Sequence, residues 1–179
     1  MTAQRRNEVA GLPWSELDLP SKVWHLPKER AKNKKAHDIH LSDLALEIIA
    51  GLVQFKPEPG KPDFVFSVDG DSVVIGFAYA KARIDKFTGL SDWQLRDLRR
   101  TAATKMAEDP EEQGGLGIAP HVVDRILNHV SGTIRGVAAV YNKGQFLAQR
   151  RAALEAWGRF VEALVRPETA QRNVIGLRR

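Results

Sequence analysis

The chain contains no cysteine among its 179 residues. Disulfide scaffolding, thiolate catalysis and cysteine-ligated zinc are thereby excluded. No apolar run approaches the length of a membrane span, and no signal peptide precedes the first charged motif. The expected setting is therefore reducing and cytoplasmic, away from any membrane. No acidic cluster has the spacing of metal ligands. Internal repeats and low-complexity tracts are also missing.

What is present is an ordinary apolar share, 43%, enough for one core and not for a second full domain. The expected layout is one domain over residues 1–166 with a solvated tail over 167–179. Lys plus Arg number 27 against 22 acids, a net charge of +5, with a pI near 9.6. That surplus suits a polyanionic partner such as nucleic acid, although proteins without one carry as much. Met1 stands only a few residues ahead of the first motif, which predicts a fragment of a longer protein.

The periodicity predicts a mainly helical domain with a small antiparallel sheet, an α+β fold. A short helix is expected from about Arg5 to Leu12. Two extended runs, Val23 to Pro27 and Ala36 to Leu41, flank the basic loop Glu29 to Lys35 and read as a hairpin. Ser42 is the expected N-cap of a helix with the face Leu44, Ile48, Leu52 and Phe55. Lys56 to Pro62 is a loop, and Asp69-Gly70-Asp71 marks a turn. Helices are expected from about Ile75 to Phe87 and from about Trp93 to Glu108. The second has Leu95, Leu98, Ala102 and Met106 on its core arc and Arg96, Arg99 and Arg100 beside it. Asp109 to Gly117 reads as a loop. Pro120 opens a helix ending at Asn128, a short one spans Thr133 to Tyr141, and a long amphipathic one runs from about Phe146 to Val165.

Chemistry enters with the order Arg96-Asp97-Leu98-Arg99-Arg100, Leu127-Asn128-His129, Val140-Tyr141. A tyrosine hydroxyl, with a reference pKa of about 10, is a poor nucleophile at neutral pH. It becomes effective where positive groups stabilise the charge built up during attack. Guanidinium groups match the non-bridging oxygens of a phosphodiester with paired hydrogen bonds, and a lysine on a hairpin loop can give a proton to a leaving hydroxyl. Arginines and a histidine near a tyrosine point to phosphoryl transfer through a phosphotyrosine. Taken one at a time, each residue has a plain structural reading. Tyr141 can be a packing residue, His129 can cap carbonyls at a helix end, the arginines can form a solvated face, and Lys32 to Lys35 can be an ordinary turn.

The order Gln4-Arg5-Arg6-Asn7-Glu8-Val9, Lys32-Asn33-Lys34-Lys35-Ala36-His37, Leu98-Arg99-Arg100-Thr101, Leu127-Asn128-His129 and Val140-Tyr141-Asn142 resembles the catalytic domain of tyrosine recombinases. Phage and integrative-element integrases are the nearest likeness, over about Ala3 to Val165. The resemblance implies site-specific DNA cleavage and rejoining on double-stranded DNA, without nucleotide cofactor or metal, in a bacterial or phage-derived, nucleoid-associated setting. It implies Arg5 and Arg99 as the phosphate-clamping arginines and Lys32 as proton donor to the leaving 5′-oxygen. His129 becomes the imidazole on the scissile phosphate, and Tyr141 the nucleophile of a 3′-phosphotyrosyl bond. It further implies other recombinase protomers as partners, a tetramer on DNA in the full-length protein.

Two features depart from the family pattern. Arg96 stands where the family usually has histidine, three residues before Arg99. Arginine stays protonated near neutrality, so it clamps phosphate but cannot serve as a base, and the sequence predicts a slowed enzyme. The N-terminal DNA-clamping domain and first catalytic-domain helices are also missing ahead of Arg5, which predicts weak, salt-sensitive DNA affinity for the chain alone. The apolar stripe of the last helix is expected to pack on its own core, with docking on a neighbouring protomer as the alternative. Three rival functions stay open: a catalytically weakened DNA-binding relative, a type IB topoisomerase-like relaxing activity, and a basic helical RNA-binding protein.

Overall fold

The computed structural model of the chain describes residues 1–55, 60–129 and 146–167. Tyr141, the short helix expected over residues 133–141 and the tail over residues 168–179 lie outside the described residues. Within them the fold is mainly helical with one small antiparallel sheet, as the periodicity predicts. In order come α1 (Arg6–Ala10), a 3₁₀ turn (Trp14–Glu16), β1 (Leu17–Asp18), β2 (Val23–Leu26), β3 (His37–His40) and α2 (Asp43–Ala50). Then follow α3 (Phe77–Thr88), α4 (Leu95–Ala107), α5 (Pro110–Gln113), α6 (Pro120–Ile126) and α7 (Leu147–Val165).

The hairpin forms because strand alternation puts apolar groups on one face. Trp24 and Leu26 of β2 and His37 and Ile39 of β3 are buried, while His25 and Asp38 point outward. The register pairs Trp24 with Ile39 and Leu26 with His37. On the open face His25 Nδ1 meets Asp38 Oδ1 at 2.8 Å, a cross-strand pair. A third strand that the sequence does not announce, β1, pairs with β2 through Leu17 and Trp24. Just before it, the Glu16 carboxylate accepts from Trp24 Nε1 at 2.8 Å and from Arg30 Nε at 2.6 Å.

Ser42 caps α2 as expected, its Oγ accepting from Ala45 N. The helix buries Leu44, Ala45 and Ile49, whereas Ile48, expected on the core face, is 45% exposed. α7 crosses the start of α2 at Gly158, where an added Cβ would stand 2.7 Å from Ser42; only a missing side chain permits that approach. Ala153, Leu154 and Trp157 of α7, Val122, Val123 and Ile126 of α6, and Ala102 and Met106 of α4 join the sheet face in one core.

Two further expectations are corrected. Leu98 is 61% exposed rather than buried, because α4 turns Ala102 and Met106 inward and rotates Arg99 toward the core edge. The stretch expected as loop after Asp109 contains α5, whose N-cap Asp109 accepts from Glu111 N and Glu112 N, with Pro110 in the first turn. Asp followed by Pro is a helix-start signal in its own right.

Candidate functional site

The C-terminal end of α6 organises the site. A helix leaves its last carbonyls without intrahelical partners, and here side chains from distant motifs claim three in succession. The Ile126 carbonyl accepts from Gln4 Nε2 at 2.8 Å and lies 3.0 Å from His37 Nε2. The Leu127 carbonyl accepts from Arg99 Nη2 at 2.6 Å, and the Asn128 carbonyl from Asn33 Nδ2 at 2.7 Å. The N-terminal segment, the hairpin and α4 are thereby fastened to the turn that carries His129.

Arg99 is half-buried. Its Nη1 donates to the Ala3 carbonyl at 2.6 Å, and its Nη2 lies 3.5 Å from His129 Nε2. Burial, reinforced by the charge of Arg5 and opposed by Glu8, lowers its pKa to about 10, so it stays cationic at neutral pH. Nη1 retains a second hydrogen for an anion in front of it, while both hydrogens of Nη2 are engaged by the Leu127 carbonyl and His129 Nε2. On the far side of the imidazole, His129 Nδ1 meets Asp124 Oδ1 at 3.3 Å. A neutral ring with its proton on Nδ1 fits both contacts, donating to the carboxylate and accepting from the guanidinium.

Arg5 occupies the N-cap of α1. Buried Glu8, one turn on, accepts from Arg5 N at 3.3 Å, Arg5 Nη1 at 3.4 Å and Lys32 N at 3.1 Å. One carboxylate thus holds the first arginine and the hairpin loop together while the Lys32 side chain stays exposed. Arg5, Lys32, Arg96 and Arg99 all line one open cavity of about 1390 Å³, whose apolar wall includes Phe66, Phe77, Trp157 and Val161. His129 is not part of that lining; it reaches the site through Arg99.

The structure therefore gathers Arg5, Lys32, Arg96, Arg99 and His129, while Tyr141 lies outside the described residues. The expectation that the α4 arginines share one face is corrected. Arg99 turns inward, Arg96 is exposed at the cavity, and Arg100 pairs with Asp97 at 3.1 Å. Glu8, Asn33, His37 and Asn128 stand inside the sequence motifs, but the bonds they make could not be read there. The available signal was an acid one turn after an N-cap arginine, and a carboxamide at the helix-ending position. No group of three or more potential metal ligands occurs among the described residues. No helix among them is long and apolar enough to cross a membrane.

Prophage integrase IntA of Escherichia coli (strain K12) is 29% identical over 170 residues, covering 91% of this chain and 37% of that protein. Putative protein IntB of the same organism is 25% identical over 171 residues, covering 88% of this chain and 41% of that protein. The chain thus spans about two fifths of the length of these curated relatives. No solved structure matches it. The profile of the Phage integrase family matches residues 1–144. With the basic cluster falling wholly inside that span, this chain belongs to the Phage integrase family.

Proposed function

We propose that residues 1–166 form a catalytic domain for site-specific DNA recombination, cutting and rejoining strands through a phosphotyrosine. The observation that carries this reading is the convergence of Arg5, Lys32, Arg96 and Arg99 on one cavity, with His129 Nε2 3.5 Å from Arg99. Such a cluster neutralises the charge of a phosphodiester in its transition state. In the proposed reaction the Tyr141 oxygen attacks phosphorus, forming a 3′-phosphotyrosyl bond and breaking the bond to the 5′-oxygen. The Lys32 ammonium gives the leaving oxygen its proton, and the phenol proton passes to solvent. Arg5 and Arg99 clamp the non-bridging oxygens, and His129 hydrogen-bonds the scissile phosphate beside Arg99. Arg96 adds a third cation but no base, and loss of a positioned base slows such steps by about 10²–10⁴-fold. Rejoining is the reverse attack by a 5′-hydroxyl, which needs no cofactor. Double-stranded DNA is the partner, and assembly with further protomers on it completes the exchange.

The test is incubation with nicked suicide DNA followed by denaturation. A covalent protein–DNA adduct that Tyr141→Phe abolishes is the expected result, and an adduct surviving that substitution overturns the assignment of the nucleophile. DNA binding without any adduct favours the weakened DNA-binding relative, for which the replacement of a histidine by Arg96 is the specific argument. Plasmid relaxation without strand exchange favours the topoisomerase-like activity.

A further inference from the structure

The hairpin loop and the His129 turn are joined by more than one bond. Asn33 Nδ2 donates to the Asn128 carbonyl at 2.7 Å, and Asn128 Nδ2 returns a bond to Asn33 Oδ1 at 3.3 Å and a second to the Lys35 carbonyl at 3.4 Å. Asn33 Oδ1 also accepts from Lys35 N at 3.1 Å. The Asn33 carboxamide thus donates to the backbone of Asn128 and accepts from its side chain, across 95 residues of chain.

Asn128 has φ +49°, the left-handed region that glycine enters freely and other residues rarely. Glycine at a helix end would satisfy the backbone with less strain. What asparagine supplies there and glycine lacks is the pair of donor bonds to the hairpin. On the opposite side, Glu8 accepts from Lys32 N at 3.1 Å. The backbone of Lys32 is therefore pinned at its own nitrogen by Glu8 and at the next residue by Asn128, while its side chain is exposed.

We propose that Asn33 and Asn128 are positioning residues for DNA cleavage, a clasp that holds the Lys32 loop in register with the His129 turn. The proposal rests on the reading of Lys32 as proton donor to the leaving oxygen. Proton transfer requires heavy atoms within about 2.6–3.2 Å, and a misplacement of about 1 Å can lower a rate by about 10²-fold. An unclasped loop leaves the ammonium intact and samples that geometry less often. Phosphate binding by Arg5, Arg96 and Arg99 does not pass through the clasp, so its loss lowers kcat and spares KM.

The experiment compares ordinary suicide DNA with DNA carrying sulfur at the 5′-bridging position of the scissile phosphate. A thiol has a pKa of about 8.5, so its sulfur departs without help from an acid, whereas an alkoxide requires the proton. On ordinary DNA, Asn33→Ala and Asn128→Gly are expected to cleave about 10- to 100-fold more slowly at unchanged KM. On sulfur-substituted DNA both return to within about threefold of the unsubstituted chain, as does Lys32→Ala. Equal slowing of the asparagine variants on both substrates, or no slowing on either, overturns the clasp while leaving Lys32 in place. Failure of Lys32→Ala to recover removes the proton-donor reading instead, and the proposal with it. A second measurement does not depend on turnover. In both asparagine variants, amide exchange at Lys32 and Lys35 is expected to accelerate about tenfold while that of core Ile39 is unchanged. Unaltered exchange in the loop overturns the clasp whatever the rates.

Discussion

The turn after α6 and helix α3 are opposite solutions to the same problem of ordering a polar segment. At the turn, Gln4, Asn33, His37 and Arg99 arrive from three separate stretches of chain to satisfy successive carbonyls. Helix α3 has no buried residue; Phe87 is 92% and Tyr79 72% exposed. What orders α3 is mostly local. Lys81 pairs with Asp85 at 2.6 Å one turn along, and Trp93 Nε1 donates to the same carboxylate at 2.8 Å. Lys81 Nζ also lies 4.9 Å from the centre of the Trp93 ring, and Gly89 closes the helix in the left-handed conformation. Local pairs of this kind contribute only a few tenths of a kcal/mol each, and short isolated helices are marginal in water. The comparison teaches that the basic cluster is held by long-range bonds to backbone, so its geometry and the stability of the core are coupled. Apart from its first half, where Phe77, Ala78 and Lys81 line the cavity, α3 can change with little effect on either.

The strongest way to break this contrast is Arg99→Ala. It removes the donors to the Ala3 and Leu127 carbonyls together with a cavity cation. A stability loss of about 2–4 kcal/mol is expected, with adduct formation reduced by about 10³-fold. Urea unfolding beside the suicide-DNA assay checks both, and a variant that loses activity at full stability separates what we couple.

Acid probes the same joint. Burial, aided by the nearby Arg150 charge and opposed by the Ile126 carbonyl, Asp38 and Glu8, lowers the His37 pKa from 6.5 to about 4. The folded state therefore binds the proton less readily than the unfolded chain. Its contribution is complete above about pH 6.5 and is lost as pH falls toward about 4, amounting to about 3 kcal/mol. Denaturant midpoints across that window should fall with acid and flatten in His37→Gln; an equal acid slope in the variant contradicts the assignment.

Arg96 stands between the two regions, on α4 and exposed at the cavity. Restoring a titratable base with Arg96→His is expected to speed cleavage about tenfold or more without changing stability. An unchanged rate would count against the idea that this position limits the reaction. The smallest effect belongs to α3, where Phe87→Ser should shift stability by no more than about 0.5 kcal/mol. A loss above about 1.5 kcal/mol in a thermal or urea melt would show that α3 is tied to the core after all.

Much of the frame was legible because it depends on short-range rules. Ser42 announced its cap, alternation announced the hairpin and Pro120 announced α6. The errors at Ile48 and Leu98 have one cause: periodicity gives a helix its faces without saying which neighbour exists to cover them. The spacing of Arg96, Arg99 and Arg100 carried the identity of the cluster and not its orientation. Helical phase alone could not foresee that two carbonyls far away would draw Arg99 inward.

By itself the sequence determined the helical class, the small sheet, the cationic inventory and the order of the motifs, all of which follow from local conformational preference and side-chain chemistry. Tertiary structure alone decided which arginines of α4 line the cavity, that Glu8 binds both Arg5 and the Lys32 loop, and that the last carbonyls of α6 serve as the meeting point. The physical reason is that a buried carbonyl or carboxylate must find a donor, and which donor reaches it is settled only when distant segments pack.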